Sequence, residues 1–216
     1  MATMLGGSYL LTKLLLPSLE AAASGGMTGS APDSGCETTA QGTDYKGEGN
    51  DPNGGSMGAA RVINVCSGGM YTVSVKGMAA DLNSQGVEPY DGSLIYAAAK
   101  RVQVILTERW AALQPSRSAS VDSVTFNSMH PGWSDTPGLA SGMPEFRATR
   151  GDSLRSSDEG ADTILWLACS EAAAGETGKF WFDRKARRTH MPLAGTKLSE
   201  SERSELWESV EWLCDD

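Results

Sequence analysis

Residues Arg61 to Cys66, RVINVC, hold a β-branched run of Val62, Ile63 and Val65 that ends at Ser67-Gly68-Gly69. An apolar run closed by turn residues predicts a buried strand of a parallel sheet. Parallel neighbours cannot be joined by a tight turn, so the chain must cross over, usually through a helix, before the next strand forms. Residues 95–113 supply that helix, with Val102, Ile105, Leu106, Trp110 and Leu113 on neighbouring faces and Pro115 beyond its end. A second strand is predicted over residues 121–127. The next helix starts at Ser156, where Ser156 and Glu159 form a capping box ahead of Ile164, Leu165 and Leu167. Residues 179–183, KFWFD, read as a third strand. Residues 199–213 read as a closing amphipathic helix with Leu206, Val210 and Leu213 on one face. This alternation predicts an α/β fold with a parallel sheet and helices on its faces.

Upstream, residues 8–20 place Leu11, Leu15, Leu16 and Leu19 at helical spacing and predict a core helix, amphipathic or fully buried. Residues 21–60 break the pattern with ten glycines and few large apolar side chains. Too little surface can be buried there to offset the entropy of ordering, so a flexible Gly/Ser-rich insertion is expected. Its glycines follow no strand and lack GxGxxG or GxxxGxG spacing, so nothing aims their amides at a phosphate. The 216 residues suit one domain. Its expected parts are a helix over 1–20, the insertion over 21–60, a core over 61–198, and a terminal helix with an acidic tail over 199–216.

Composition narrows the partners. A formal charge of −9 has the wrong sign for a protein that tracks a phosphate backbone. The longest apolar stretch, residues 9–19, is broken by Lys13 and Pro17 and is shorter than the ~20 residues of a spanning helix. No membrane span or secretory signal is expected. The four cysteines lack metal-ligand spacing, so no metal site is expected and reduced thiols in a cytoplasmic setting are the default.

Three stretches bear on chemistry. Tyr96 and Lys100, in YAAAK, lie four apart on the strongest helix and project from one face. A phenol is mostly protonated at neutral pH, and an ammonium one turn away favours the phenolate, which suits the pair to proton exchange. The same spacing also arises by chance on helices. Ser67 ends the first predicted strand, and the carboxyl ends of parallel strands are where α/β proteins build their sites. The second strand runs into Pro131-Gly132 and then Thr136, adding a rigid turn and a hydroxyl at the same edge.

In combination and order these stretches resemble the short-chain dehydrogenase/reductase family. NVCSGG is similar to its strand-end serine motif, YAAAK to its Tyr-x-x-x-Lys, and HPGWSDT to its Pro-Gly-x-x-x-Thr. The wide gap between Ser67 and Tyr96 is similar to the retinol-dehydrogenase-like branch. The resemblance covers residues 1–20 and 61–198. It implies an NAD(P)-dependent oxidoreductase acting on a small-molecule alcohol or carbonyl. By the same resemblance Ser67 positions the substrate oxygen, Tyr96 exchanges the proton, and Lys100 activates Tyr96 and bonds the nicotinamide ribose. Pro131 and Gly132 would lie against the nicotinamide ring, with Thr136 on its carboxamide or the neighbouring phosphate.

The family's opening strands and Gly-rich phosphate loop have no counterpart here, and Met4 aligns where the family has a catalytic Asn. The expectation is therefore an incomplete, truncated Rossmann-like doubly wound sheet with impaired NAD or NADP binding. A first strand without its neighbour would present an open edge. A missing upstream segment, a fragment held by a partner and a decayed enzyme all fit. The alternative reading is a non-catalytic interaction or dimerisation module, because the family commonly pairs through helices equivalent to those around Leu15 and Ile105. Its partner would be a second copy or a full-length relative.

Other side chains read more plainly. No G-x-S-x-G elbow supports a serine hydrolase. His130 reads as a loop histidine, Trp207 and Trp212 as core or lid packing, and the basic run Arg184, Lys185, Arg187 and Arg188 as a solvated loop.

Overall fold

The computed structural model describes residues 2–24, 60–79, 91–114 and 123–215. The run at Val62 forms strand β1 (Arg61–Val65), and the second strand β2 is Thr125–Met129. The two pair in parallel, with Val62 beside Phe126 and Val65 beside Met129. β2 pairs in parallel with β3 (Phe180–Phe182), which turns back into an antiparallel β4 (Lys185–Arg187). The order is β1-β2-β3-β4, so β1 is an edge strand among the described residues. The architecture is α/β and Rossmann-like, as the alternation predicts.

Helix α1 (Ala2–Ser24) precedes the sheet, and α2 (Gly92–Leu113) crosses from β1 to β2. Asp91 caps α2 by accepting from the Ser93 and Leu94 amides, so the helix starts a turn earlier than its apolar pattern suggests. Two short helices, α3 (Pro137–Gly142) and α4 (Pro144–Arg150), precede α5 (Ser157–Cys169), and α6 (Glu200–Asp215) closes the chain. The expected capping box is present: Ser156 Oγ accepts from the Glu159 amide at 3.1 Å, and Glu159 accepts from the Ser156 amide at 2.7 Å.

Strand alternation divides the core between the two sheet faces. Val62 and Phe126 join α1, α2 and α6 on one face, whereas Ile63, Met129 and Trp181 meet Ile164 and Leu167 of α5 on the other. Tyr9, Trp110 and Trp207 tie α1, α2 and α6 together, with ring centroids 4.9 to 5.5 Å apart, and Trp110 stacks on Phe126. Buried Asn127 is satisfied by the Glu176 carbonyl and the Trp181 indole.

Several expectations are corrected. α1 runs through Pro17 and on to Ser24, past the predicted boundary at residue 20. Its buried face is Leu5, Tyr9 and Thr12, with Leu16 and Leu19 partly buried, while Leu11 and Leu15 stand exposed. The second strand lies later than predicted, because it takes its register from β1 and β3. The basic run is not a loop: Asp183 and Arg184 both adopt positive φ, at 52° and 54°, and form the tight turn into β4. Trp207 is in the core, but Trp212 is 54% exposed. The predicted insertion lies mostly outside the described residues. No helix among the described residues is long and apolar enough to cross a membrane.

Candidate active site

The site lies where β1 and β2 end. The Cys66 amide donates to the Met129 carbonyl at 2.6 Å, and the His130 amide donates to Trp181, so pairing holds adjacent strand ends together up to the loops. Ser67 leaves β1 in an extended conformation and caps a 3-10 turn, Gly68–Tyr71, by accepting from the Gly69 amide at 3.2 Å. Its oxygen is thereby oriented while its hydroxyl proton stays available.

Lys100 returns to the same strand end. Its ammonium donates to the Val65 carbonyl and to Gln103 Oε1, each at 3.0 Å. Tyr96 lies one turn earlier, 44% exposed, with its ring centroid 5.6 Å from Lys100 Nζ. Among the described residues no hydrogen bond holds the Tyr96 hydroxyl, nor joins it directly to Ser67 or Lys100. A Cβ built on Gly69 would lie 3.5 Å from Ser67 Oγ and 3.7 Å from Ala97 Cβ, so the serine turn packs against the helix at the residue after Tyr96. The structure therefore brings Ser67, Tyr96 and Lys100 to one strand end.

The β2 end supplies the opposite wall. Gly132 adopts φ +79°, and a Cβ there would meet Arg155 Nε at 2.9 Å. Arg155 is fixed by paired hydrogen bonds to Asp183 at 2.5 and 2.8 Å and covers the Phe182 ring. His130 stacks on Phe182 with ring centroids 4.2 Å apart, and its Nδ1 accepts from the Gly132 amide. Burial, then the neighbouring Arg155 charge, push the His130 pKa down to about 4, so the imidazole is neutral. A Cβ on Gly68 would lie 3.6 Å from this ring, which places the serine turn against the Pro131-Gly132 wall. Thr136 stands apart: it caps α3 by accepting from the Leu139 amide, and no hydrogen bond joins it to Ser67, Tyr96 or Lys100.

Sequence reasoning misses Gln103, Arg155 and Asp183. Gln103 was legible as the i+3 neighbour of Lys100. Arg155 and Asp183 meet across 28 residues, and no local pattern marks such a pair. Among the described residues no cluster of potential ligands could hold a metal ion.

No family model matches the chain. It is 49% identical over 154 residues to the human (Homo sapiens) protein named dehydrogenase/reductase SDR family member 12, a match covering 71% of this chain and 45% of that protein. The bovine (Bos taurus) protein of that name is 46% identical over the same length and shares. Mouse (Mus musculus) retinol dehydrogenase 14 is 30% identical over 139 residues, covering 61% of this chain and 38% of its own. The chain thus spans less than half the length of the curated relatives it matches. With these likenesses and an α/β sheet whose strand ends gather the serine turn and the Tyr-Lys helix, the chain belongs to the short-chain dehydrogenase/reductase family.

Proposed function

We propose that the chain carries the proton-transfer side of an NAD(P)-dependent oxidoreductase site that interconverts an alcohol and a carbonyl, with Ser67, Tyr96 and Lys100 as its catalytic set. One observation carries the reading: Lys100 is tied to the β1 end that delivers Ser67, while Tyr96 one turn away is exposed and no hydrogen bond holds its hydroxyl among the described residues. A phenol left unpaired beside an anchored ammonium is available to a ligand.

In the reducing direction Ser67 donates a hydrogen bond from its hydroxyl to the substrate carbonyl oxygen, keeping its proton, and fixes the position of that oxygen. Tyr96 gives that oxygen a proton as the carbonyl becomes an alcohol, and takes it back in the reverse direction. Lys100 stabilises the phenolate that Tyr96 leaves behind. A bound nicotinamide cofactor, NAD or NADP, supplies or accepts the hydride. The residues at the strand ends fit its reactive end: Lys100 has one N–H beyond its two fixed bonds, and Pro131 and Gly132 form a rigid wall; Thr136, which stands apart as the cap of α3, has a hydroxyl proton left to donate. Among the described residues no strand, Gly-rich turn and helix unit offers amides to a pyrophosphate.

The test is Tyr96→Phe, assayed with NADH and NADPH against a panel of aldehydes and ketones. Both this chain and a form extended to the length of its relatives would be used. Loss of a positioned general acid is expected to lower turnover of the active form by about a hundredfold or more. Full activity in the variant would overturn the assignment.

A further inference from the structure

We infer that Gln103 is a positioning residue for Lys100, and that it couples the Lys100 ammonium to helix α1. The inference rests on the reading that Lys100 belongs to the site.

Gln103 is buried, 8% exposed, on the α2 face that packs against α1. A buried amide must be satisfied, and this one is satisfied in a defined order. Its Oε1 accepts from Lys100 at 3.0 Å, and its Nε2 donates to the Met4 carbonyl at 3.0 Å and to Ser8 Oγ at 3.3 Å. Ser8 Oγ in turn donates to the Met4 carbonyl at 2.9 Å. An ammonium can only donate and a carbonyl can only accept, so the amide has a single orientation that serves both.

Two consequences follow for Lys100. Lysine is a flexible side chain with three donors, and fixing two of them on Val65 and Gln103 leaves one direction for the third. An amide also holds an ammonium without cancelling its charge, whereas a carboxylate at the same place would neutralise it. The charge beside Tyr96 is thereby placed and kept, and its position follows that of α1 through Met4 and Ser8.

The experiment is competitive acylation of the folded 216-residue chain with limiting acetyl N-hydroxysuccinimide ester, reading Lys100 by mass spectrometry against Lys185 on exposed β4. Gln103→Leu removes the acceptor and is expected to raise the Lys100 to Lys185 labelling ratio about threefold or more, as a charge-assisted hydrogen bond is lost. Gln103→Glu restores an acceptor and is expected to hold the ratio at or below that of the parent chain. An unchanged ratio in Gln103→Leu, or an equal rise in both variants, would overturn the inference. Should Gln103→Leu fail to fold, Gln103→Met carries the same comparison with an unbranched side chain of similar length. Labelling reads the bridge without turnover, and Tyr96→Phe reads turnover without the bridge. A labelling shift alongside an active Tyr96→Phe enzyme leaves the bridge standing and the catalytic reading fallen; the converse pair does the opposite.

Discussion

His130 is stacked on Phe182, and its burial, then the Arg155 guanidinium nearby, opposes protonation. Its pKa falls from an ordinary value near 6.5 to about 4 in the folded chain. Between those values the unfolded chain binds the extra proton, so folding stability drops as pH falls from about 6.5 toward 4. For a ring still partly open to solvent the effect is about 1–2 kcal/mol. A His130→Phe variant, which keeps the stacking, is expected to flatten this part of the stability curve in urea melts taken across that pH range. Gly132 makes a second test at this scale. Its φ of +79° and the fixed Arg155 chain leave no place for a methyl, so Gly132→Ala should cost about 1–3 kcal/mol, read as a lower denaturant midpoint. From the sequence Gly132 is visible as a turn glycine after a proline and, by resemblance, as part of the nicotinamide wall. The side chain that closes the space around it lies 23 positions away.

The elements themselves are largely written in local pattern. The Ser156 to Glu159 capping box starts α5 where expected, and the β-branched run at Val62 is β1. Boundaries fail where a neighbour decides them: β2 takes its limits from ladders on both sides, and a strained turn at Asp183-Arg184 turns an expected basic loop into β4. That turn is held from outside, because the Arg184 amide donates to Thr163 and its guanidinium pairs with Asp162, both on α5. Helix α5 also meets the site loop at Gly160, where an added Cβ would overlap Ser134 Oγ and lie 3.2 Å from Ser134 Cβ. Gly160→Ala should therefore push the Pro131 to Thr136 loop off the helix. A loss of about 1–3 kcal/mol is expected in thermal unfolding, with faster amide exchange at Ser134 and Asp135.

On the scale of the molecule, the two ends of the chain hold one side of the core. Tyr9 of α1 and Trp207 of α6 pack on Trp110, the Tyr9 hydroxyl reaches Glu211 at 3.1 Å, and Lys13 pairs with Asp215. The exposed Lys13 pair adds little, but the aromatic cluster is desolvated and carries most of the attachment. Trp207→Ala is expected to cost about 3–5 kcal/mol in denaturant unfolding, with α6 losing exchange protection first. Protection of α6 equal to that of the parent chain would contradict that role for the cluster.

What the sequence determined by itself is what repeats or abuts locally: the strand and helix alternation, the capping box, and the order of serine turn, Tyr-Lys helix and Pro-Gly turn. Periods of two and of 3.6 residues fix which side chains share a face, and that suffices to place Tyr96 and Lys100 together. Tertiary structure decided which face each element turns inward, so that α1 buries Leu5 and Tyr9 and exposes Leu11 and Leu15. It also decided the contacts of Arg155 with Asp183 and of Lys100, through Gln103, with Met4. The last of these spans about a hundred residues of chain. Burial and hydrogen-bond satisfaction are set by whatever packs opposite, and that partner leaves no mark in the local pattern.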